Sequence, residues 1–189
     1  MKRVLLFIAL LSVATVVTKG QEKMAADTSK TTLQWLGEKV TGQHTGTIKL
    51  QSGWLNWTDN KIVSGEFIID MTTIKESAGE KRLEAHLKTD DFFSVEKFPT
   101  AKLVLTGSDS FEKGYALVRG NLTIKGITNP IEFKSSILKK DDGFWFYSNI
   151  TVDRTKYNVR YGSGTFFDNL GDKVVYDEFK LKVALFVKK

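Results

Sequence analysis

Phe179-Lys180-Leu181-Lys182-Val183-Ala184-Leu185-Phe186-Val187-Lys188 puts an apolar residue at every odd position and, Ala184 and Phe186 apart, a lysine at every even one. A period of two with one apolar face marks a half-buried antiparallel strand. The same alternation recurs upstream. Phe144, Phe146, Ile150 and Val152 interleave with Trp145, Tyr147, Asn149, Thr151 and Asp153. Ile131, Phe133 and Ile137 face away from Glu132, Lys134 and Ser136, and Ala101, Leu103 and Leu105 oppose Lys102 and Thr106. Phe67, Ile69 and Met71 oppose Glu66 and Asp70, while Ile48 and Leu50 stand beside Lys49 and Gln51.

Turn signals at Asp59-Asn60, Glu112-Lys113-Gly114 and Asp141-Asp142-Gly143 separate these runs. Connections this short join antiparallel neighbours rather than crossovers through helices. The class is therefore all-β. About eight strands at this spacing suffice to close a barrel, which removes exposed edges, although a two-sheet sandwich carries the same pattern. One stretch breaks the alternation: Gly79–Lys88 is rich in helix formers, with Leu83 and Leu87 four apart on one face. It predicts a short helix lying over one end of the sheet.

The chain has 189 residues, 41% of them hydrophobic and 26% charged, which suits one globular domain and excludes general disorder. It has no Cys, so disulfides, thiolate metal sites and cysteine nucleophiles are excluded, and its only histidines are His44 and His86. No metal and no cofactor is implied. Lys2 and Arg3 precede an apolar run from Val4 to Val17, which Thr18-Lys19-Gly20 then breaks. That is the layout of a secretory signal peptide, and the run is shorter than a membrane-spanning helix requires. The expectation is a leader over residues 1–20 and one exported, periplasmic or secreted domain over residues 21–189. Losing the leader takes Lys2, Arg3 and Lys19 away and halves the formal charge of +6. The remainder is too small and too interspersed for a nucleic-acid partner. It leaves room for a transient membrane contact, and the oligomeric state stays open, a homodimer included.

Few residues suggest catalysis. Asn158-Val159-Arg160-Tyr161-Gly162-Ser163-Gly164 is glycine-rich but lacks the ending of a phosphate loop, and reads as a loop between strands. Asp90, Asp91 and Glu96 cluster after the helix with no sign of a facing pair across a cleft; Asp90 reads as a turn acceptor. His86, flanked by Glu84 and Asp90, has the chemistry of a general base, but no nucleophile elbow accompanies it. His44, in Gly42-Gln43-His44-Thr45-Gly46, reads as structural. The inward aromatics Phe67, Phe133, Phe144, Phe146 and Phe179 form either a packed core or the wall of an apolar pocket, and pattern alone does not choose.

Three stretches in order carry a resemblance. Glu80–Ala101 runs from a charged helix ending in His86-Leu87 through Asp91-Phe92-Phe93 to Lys97-Phe98-Pro99. Gly120-Asn121-Leu122-Thr123-Ile124-Lys125-Gly126-Ile127-Thr128-Asn129-Pro130 is a hairpin signature, and Asp153-Arg154-Thr155-Lys156-Tyr157 pairs Asp-Arg with an aromatic. Over about residues 28–188 the chain resembles the YceI-like, polyisoprenoid-binding family. It departs from many members at Ala85, where they carry Asp, and in lacking a Pro-Trp-Gly-Gly insertion before the penultimate strand.

The resemblance implies an extended antiparallel, lipocalin-like β-barrel around an apolar tunnel, holding an isoprenoid or other long-chain lipid such as a polyprenyl phosphate or quinone, without catalytic residues. On it, Phe67, Ile69, Leu103, Leu105, Phe133, Phe144, Phe146, Phe179 and Leu181 are the expected tunnel wall. His86, Lys88, Arg154 and Arg160 are the expected head-group set, since a phosphate wants cationic donors. For the arginines an equal alternative is bracing of loops through Asp153 or Asp168. Two further readings stay open: an enzyme acting on a lipid with His86 as acid or base, and a packed module with no ligand.

Overall fold

A computed structural model describes residues 20–189; the expected leader, Gly20 apart, lies outside the described residues. The chain runs β1 (Glu22–Ala26), β2 (Thr32–Lys39), β3 (Gly42–Thr58), β4 (Lys61–Glu76), α1 (Lys81–Lys88), β5 (Thr100–Ser108), β6 (Tyr115–Ile124), β7 (Ile127–Lys140), β8 (Gly143–Asp153) and β9 (Val175–Lys188). Each strand from β2 to β9 pairs antiparallel with the next, and β9 returns to pair with β2, Phe179 opposite Gly37 and Ala184 opposite Thr32. The result is an all-β, eight-stave closed barrel with one short helix.

The ninth strand does not add a stave. β1 pairs with β3 through Glu22–Ala25 and with β9 through Ala25 and Ala26, filling the gap between them where β2 has ended. β1 and β2 are one stave bent at residues 27–31. Asp27 holds that corner: its carboxylate accepts Ser29 Oγ at 2.6 Å and lies 2.9 Å from Lys188 Nζ. Those hydrogen bonds, Ser29 first, hold its pKa well below 3.8.

Local chemistry sets the turns. Asp59 and Asn60, with φ of 46° and 60°, join β3 to β4 in two residues, and Lys125 and Gly126, at 50° and 73°, join β6 to β7. Two consecutive positive φ values match the right-handed strand twist, and Asp, Asn and Gly adopt them at least cost. Elsewhere glycine makes room: a Cβ on Gly53 would stand 2.3 Å from the Phe67 ring, and one on Gly46 would stand 2.3 Å from the Trp35 indole.

The interior divides along the barrel axis. At the end bearing the β3–β4, β5–β6 and β7–β8 turns, Trp57, Phe111, Phe144 and Phe146 interlock with centroids 5.3–6.5 Å apart, mostly edge to face. Met24, Leu55 and Val187, each at most 1% exposed, pack around them. This end is a plug. At the other, Ile48, Met71, Ile74, Ala101, Leu122, Ile124, Ile150 and Val152 form a wall capped by Leu87, Phe92, Val95, Tyr157 and Val159 from the connections. Helix α1 lies there as its pattern predicts, with Leu87 buried and Leu83 partly so.

Candidate functional site

Between the two ends runs a cavity of about 220 Å³, walled by all eight staves and by Leu87, Phe92 and Phe93 of the β4–β5 connection. Its floor is Leu55, Ile62, Val118 and Phe146, directly beneath the plug. On β9 its wall extends from Val175 to Leu185. At about 3.3 Å per residue and a tilt of about 40°, that corresponds to about 25 Å along the axis. The cavity is therefore long and narrow. A single strand irregularity shapes its mouth: where two steps of β2, Gly37 to Lys39, oppose four of β9, Phe179 to Val175, β9 bows away from its neighbour. Gly37, Glu38, Tyr176 and Glu178 line this gap, with Phe93 and Phe179 just inside.

Eight of the expected wall residues stand on the cavity: Phe67, Ile69, Leu103, Leu105, Phe133, Phe146, Phe179 and Leu181. Phe144 lies in the plug instead, 5.3 Å from Trp57. The head-group residues are not gathered. Arg154 is 4% exposed and gives Nε to Tyr176 O, Nη1 to Val159 O and Nη2 to Val175 O at 2.8–2.9 Å. Its Nη2 lies 3.6 Å from Asp177, the ion pair that replaces those expected with Asp153 or Asp168. Arg154 thus ties the β8–β9 connection to the start of β9, its stem forming part of the cavity wall. Burial lowers its pKa. Burial alone would raise that of Asp177, but the hydroxyls of Ser163 and Thr165 and the nearby guanidinium outweigh it and bring it below the ordinary value.

Lys88 donates to Thr72 O of β4 at 2.7 Å, tying α1 to that strand. His86 Nε2 stands 3.0 Å from Asp91 Oδ2, with its ring edge-on to Phe92 and Tyr161 at 5.0 and 4.6 Å. Arg160 lies over the Phe166 ring, 4.7 Å from its centroid. It borders a shallow polar groove shared with Asp90, Asp91, Lys125 and Tyr161. Phe92 and Tyr161, 5.2 Å apart, stand where the groove comes nearest the tunnel. Asp90 takes the Lys97 ammonium at 2.7 Å rather than a turn N–H. The Asn158–Gly164 loop is tied down: the carbonyl of Ser163, a fully buried residue, accepts the amides of Phe166 and Phe167, and Gly162 O accepts that of Val175 at 2.8 Å.

Sequence reasoning missed Trp35 and the mouth. Trp35 lines the cavity, and its buried indole N–H has no acceptor among the described residues. Ser135 and Ser148, a cross-strand pair on β7 and β8, put two hydroxyl-bearing side chains on an otherwise apolar wall. Leu33 and Trp35 carry the two-residue period, but Leu36 and Gly37 interrupt it. The mouth depends on a register shift, which no single strand reveals.

A closed antiparallel barrel surrounding an elongated apolar cavity belongs to the class of up-and-down barrels, whose interiors are either filled or open. The YceI-like domain family matches residues 24–186, and the chain belongs to that family. UPF0312 proteins of Pseudomonas putida strains W619 and GB-1 are each 32% identical to it over 121 residues, 61% of this chain and 63% of theirs. The chain thus spans somewhat less than two thirds of the length of the curated relatives it matches. Among solved structures, BcnA of Burkholderia cenocepacia superposes with a TM-score of 0.73 at 21% identity, covering 87% of this chain and 99% of that one. A polyisoprenoid binding domain from Saccharophagus degradans gives 0.67 at 15% identity, covering 87% and 97%. These likenesses show the fold.

Proposed function

We propose that the chain is an exported, periplasmic binding protein that takes up the tail of one isoprenoid-type lipid in the tunnel and releases it unchanged. The observation that carries this reading is the tunnel itself, apolar along its length, closed by the plug at one end and bordered by the β2–β9 gap at the other. The polyisoprenoid binding domain of the same fold supports it. An apolar cavity of about 150 Å³ takes one benzene ring, so this one suits about ten carbon atoms, roughly two isoprene units. At about 0.8 kcal/mol per buried CH₂, that segment contributes roughly 8 kcal/mol before ordering costs. A longer tail requires wall side chains such as Met71 and Leu103 to rotate, or extends through the mouth.

The mouth favours a neutral head, quinone-like rather than phosphate. Glu38 and Glu178 stand at its rim, and Lys180 compensates only Glu38, at 2.9 Å. Arg154 has given its donors to carbonyls, and Lys88 points elsewhere. His86, paired with Asp91 and packed between aromatic edges, fits a structural role better than acid–base catalysis on a lipid.

The test is native mass spectrometry of the chain recovered from a periplasm, with solvent extraction of what it carries. An added mass that extracts as a neutral prenyl species supports the proposal. A protein mass unchanged after incubation with quinones and polyprenyl phosphates refutes it and leaves a packed module.

A further inference from the structure

Among the described residues, ten large apolar side chains are more than a third exposed, and six of them, Val40, Ile127, Tyr161, Phe166, Phe167 and Tyr176, gather at the mouth end of the barrel. They come from three different connections. Val40 tips the β2–β3 hairpin, Ile127 begins β7 after its two-residue turn, and the others belong to the β8–β9 connection and the first residues of β9. Hydrogen bonds fix their relative positions. Val40 N donates to Val174 O at 3.1 Å, joining hairpin to loop, and the amides of Phe166 and Phe167 share Ser163 O, which presents the two rings from one turn. Tyr176, 48% exposed, belongs both to this face and to the rim of the tunnel.

We infer that this face is a lipid-bilayer contact that seats the mouth in the headgroup region. The inference rests on the proposed lipid cargo. A prenyl tail has almost no free concentration in water, so exchange is efficient only where the mouth meets the membrane, and the exposed aromatics lie at the same end of the barrel as that mouth, with Tyr176 on its rim. Phenyl and phenol side chains are the groups that settle at the headgroup boundary. Charges of both signs interleave with them, Arg160 and Lys173 beside Asp168 and Asp172, so the attachment is apolar and does not depend on anionic lipid.

The experiment is flotation of the mature chain with vesicles of pure phosphatidylcholine and with vesicles containing phosphatidylserine. A solution assay of farnesol uptake, which needs no membrane, accompanies it. The expected result is similar partition into both vesicle types, reduced about tenfold or more by Phe166→Ser combined with Phe167→Ser, with farnesol uptake unchanged. Tyr115→Ser with Leu138→Ser, at the opposite end, leaves partition unchanged. Phe166→Trp serves as a second reporter: compared with the unaltered chain and its four tryptophans, it adds emission that shifts to the blue and is quenched by brominated lipid. A chain that takes up farnesol but stays in the aqueous fraction, or partitions equally well without the two phenylalanines, overturns the membrane face. Self-association abolished by the same pair of serines assigns the face to a second copy and overturns it too. A chain that floats but takes up no farnesol overturns the lipid-cargo reading instead.

Discussion

The two ends of this barrel are built from similar residues and do opposite things. At the plug end four aromatic rings meet edge to face with aliphatic side chains filling the space between them, and the adjoining turns are short. At the mouth end the wall is largely aliphatic, two of the four connections, β4–β5 and β8–β9, are long, and a bowed strand leaves a gap. Close packing at one end makes the tunnel blind; imperfect pairing at the other makes it accessible. A barrel of eight staves can fill its interior or hold a ligand, and this one is filled over part of its length and leaves a cavity over the rest.

The sharpest way to break that contrast is to remove the plug. Trp57→Ala deletes the ring that touches Phe111, Phe144 and Phe146 and should cost about 3–5 kcal/mol, read from the denaturant midpoint at constant slope. A cost below about 1 kcal/mol would mean that the plug is no better packed than the tunnel. Arg154→Ala tests the frame of the mouth end. It leaves one buried and two part-buried carbonyls and Asp177 without their donor, with an expected loss of about 3 kcal/mol; Arg160→Ala should stay within about 0.5 kcal/mol. Near-equal losses would show that Arg154 is not the brace.

Filling the tunnel should have little effect on stability and a large one on binding. Leu181→Trp puts the added ring into existing space, so stability should fall by less than about 1 kcal/mol, while affinity for a quinone probe drops about tenfold or more by fluorescence titration. A stability loss like that of Trp57→Ala would erase the distinction between the ends. The smallest effect concerns pH at the bent stave. Asp27 has its pKa held well below 3.8, so the folded state keeps the carboxylate ionised where the unfolded chain would already be protonated. Its contribution is complete above the unfolded value and is lost as pH falls toward the depressed folded one. Thermal midpoints measured from pH 5 to 2 should therefore fall less steeply in Asp27→Asn than in the unaltered chain.

Much of this was legible in the sequence. The staves announce themselves through the alternation in β8 and β9, and parity puts the nine expected wall residues on inward faces, eight of them on the cavity, but it does not choose between a filled interior and an open one. What parity does not give is depth. Phe144 and Phe146 share a face, but only Phe146 reaches the cavity, because Phe144 is one pair closer to the plug. β2 was unreadable for a related reason: Leu36 and Gly37 break its period where the barrel wall loosens. Arg154 left two readings open, head-group donor and loop brace, because its sequence neighbours say nothing of Val175 and Tyr176, whose carbonyls accept its N–H groups. Charge at the mouth was invisible too, since Glu38 and Glu178 meet only through ring closure.

That closure has a consequence for how the molecule is made. β2 finds its second partner only in β9, about 140 residues later, and every other stave pairs with a sequence neighbour. Hairpins can form locally as the chain is synthesised, but the ring stays open until the last stave arrives. Contacts of such long separation slow folding. Until then β2 presents an unpaired edge beside an uncovered apolar face, the arrangement most prone to aggregation. Any delay between the formation of β2 and the arrival of β9, at whatever point of the meander it falls, prolongs that exposure.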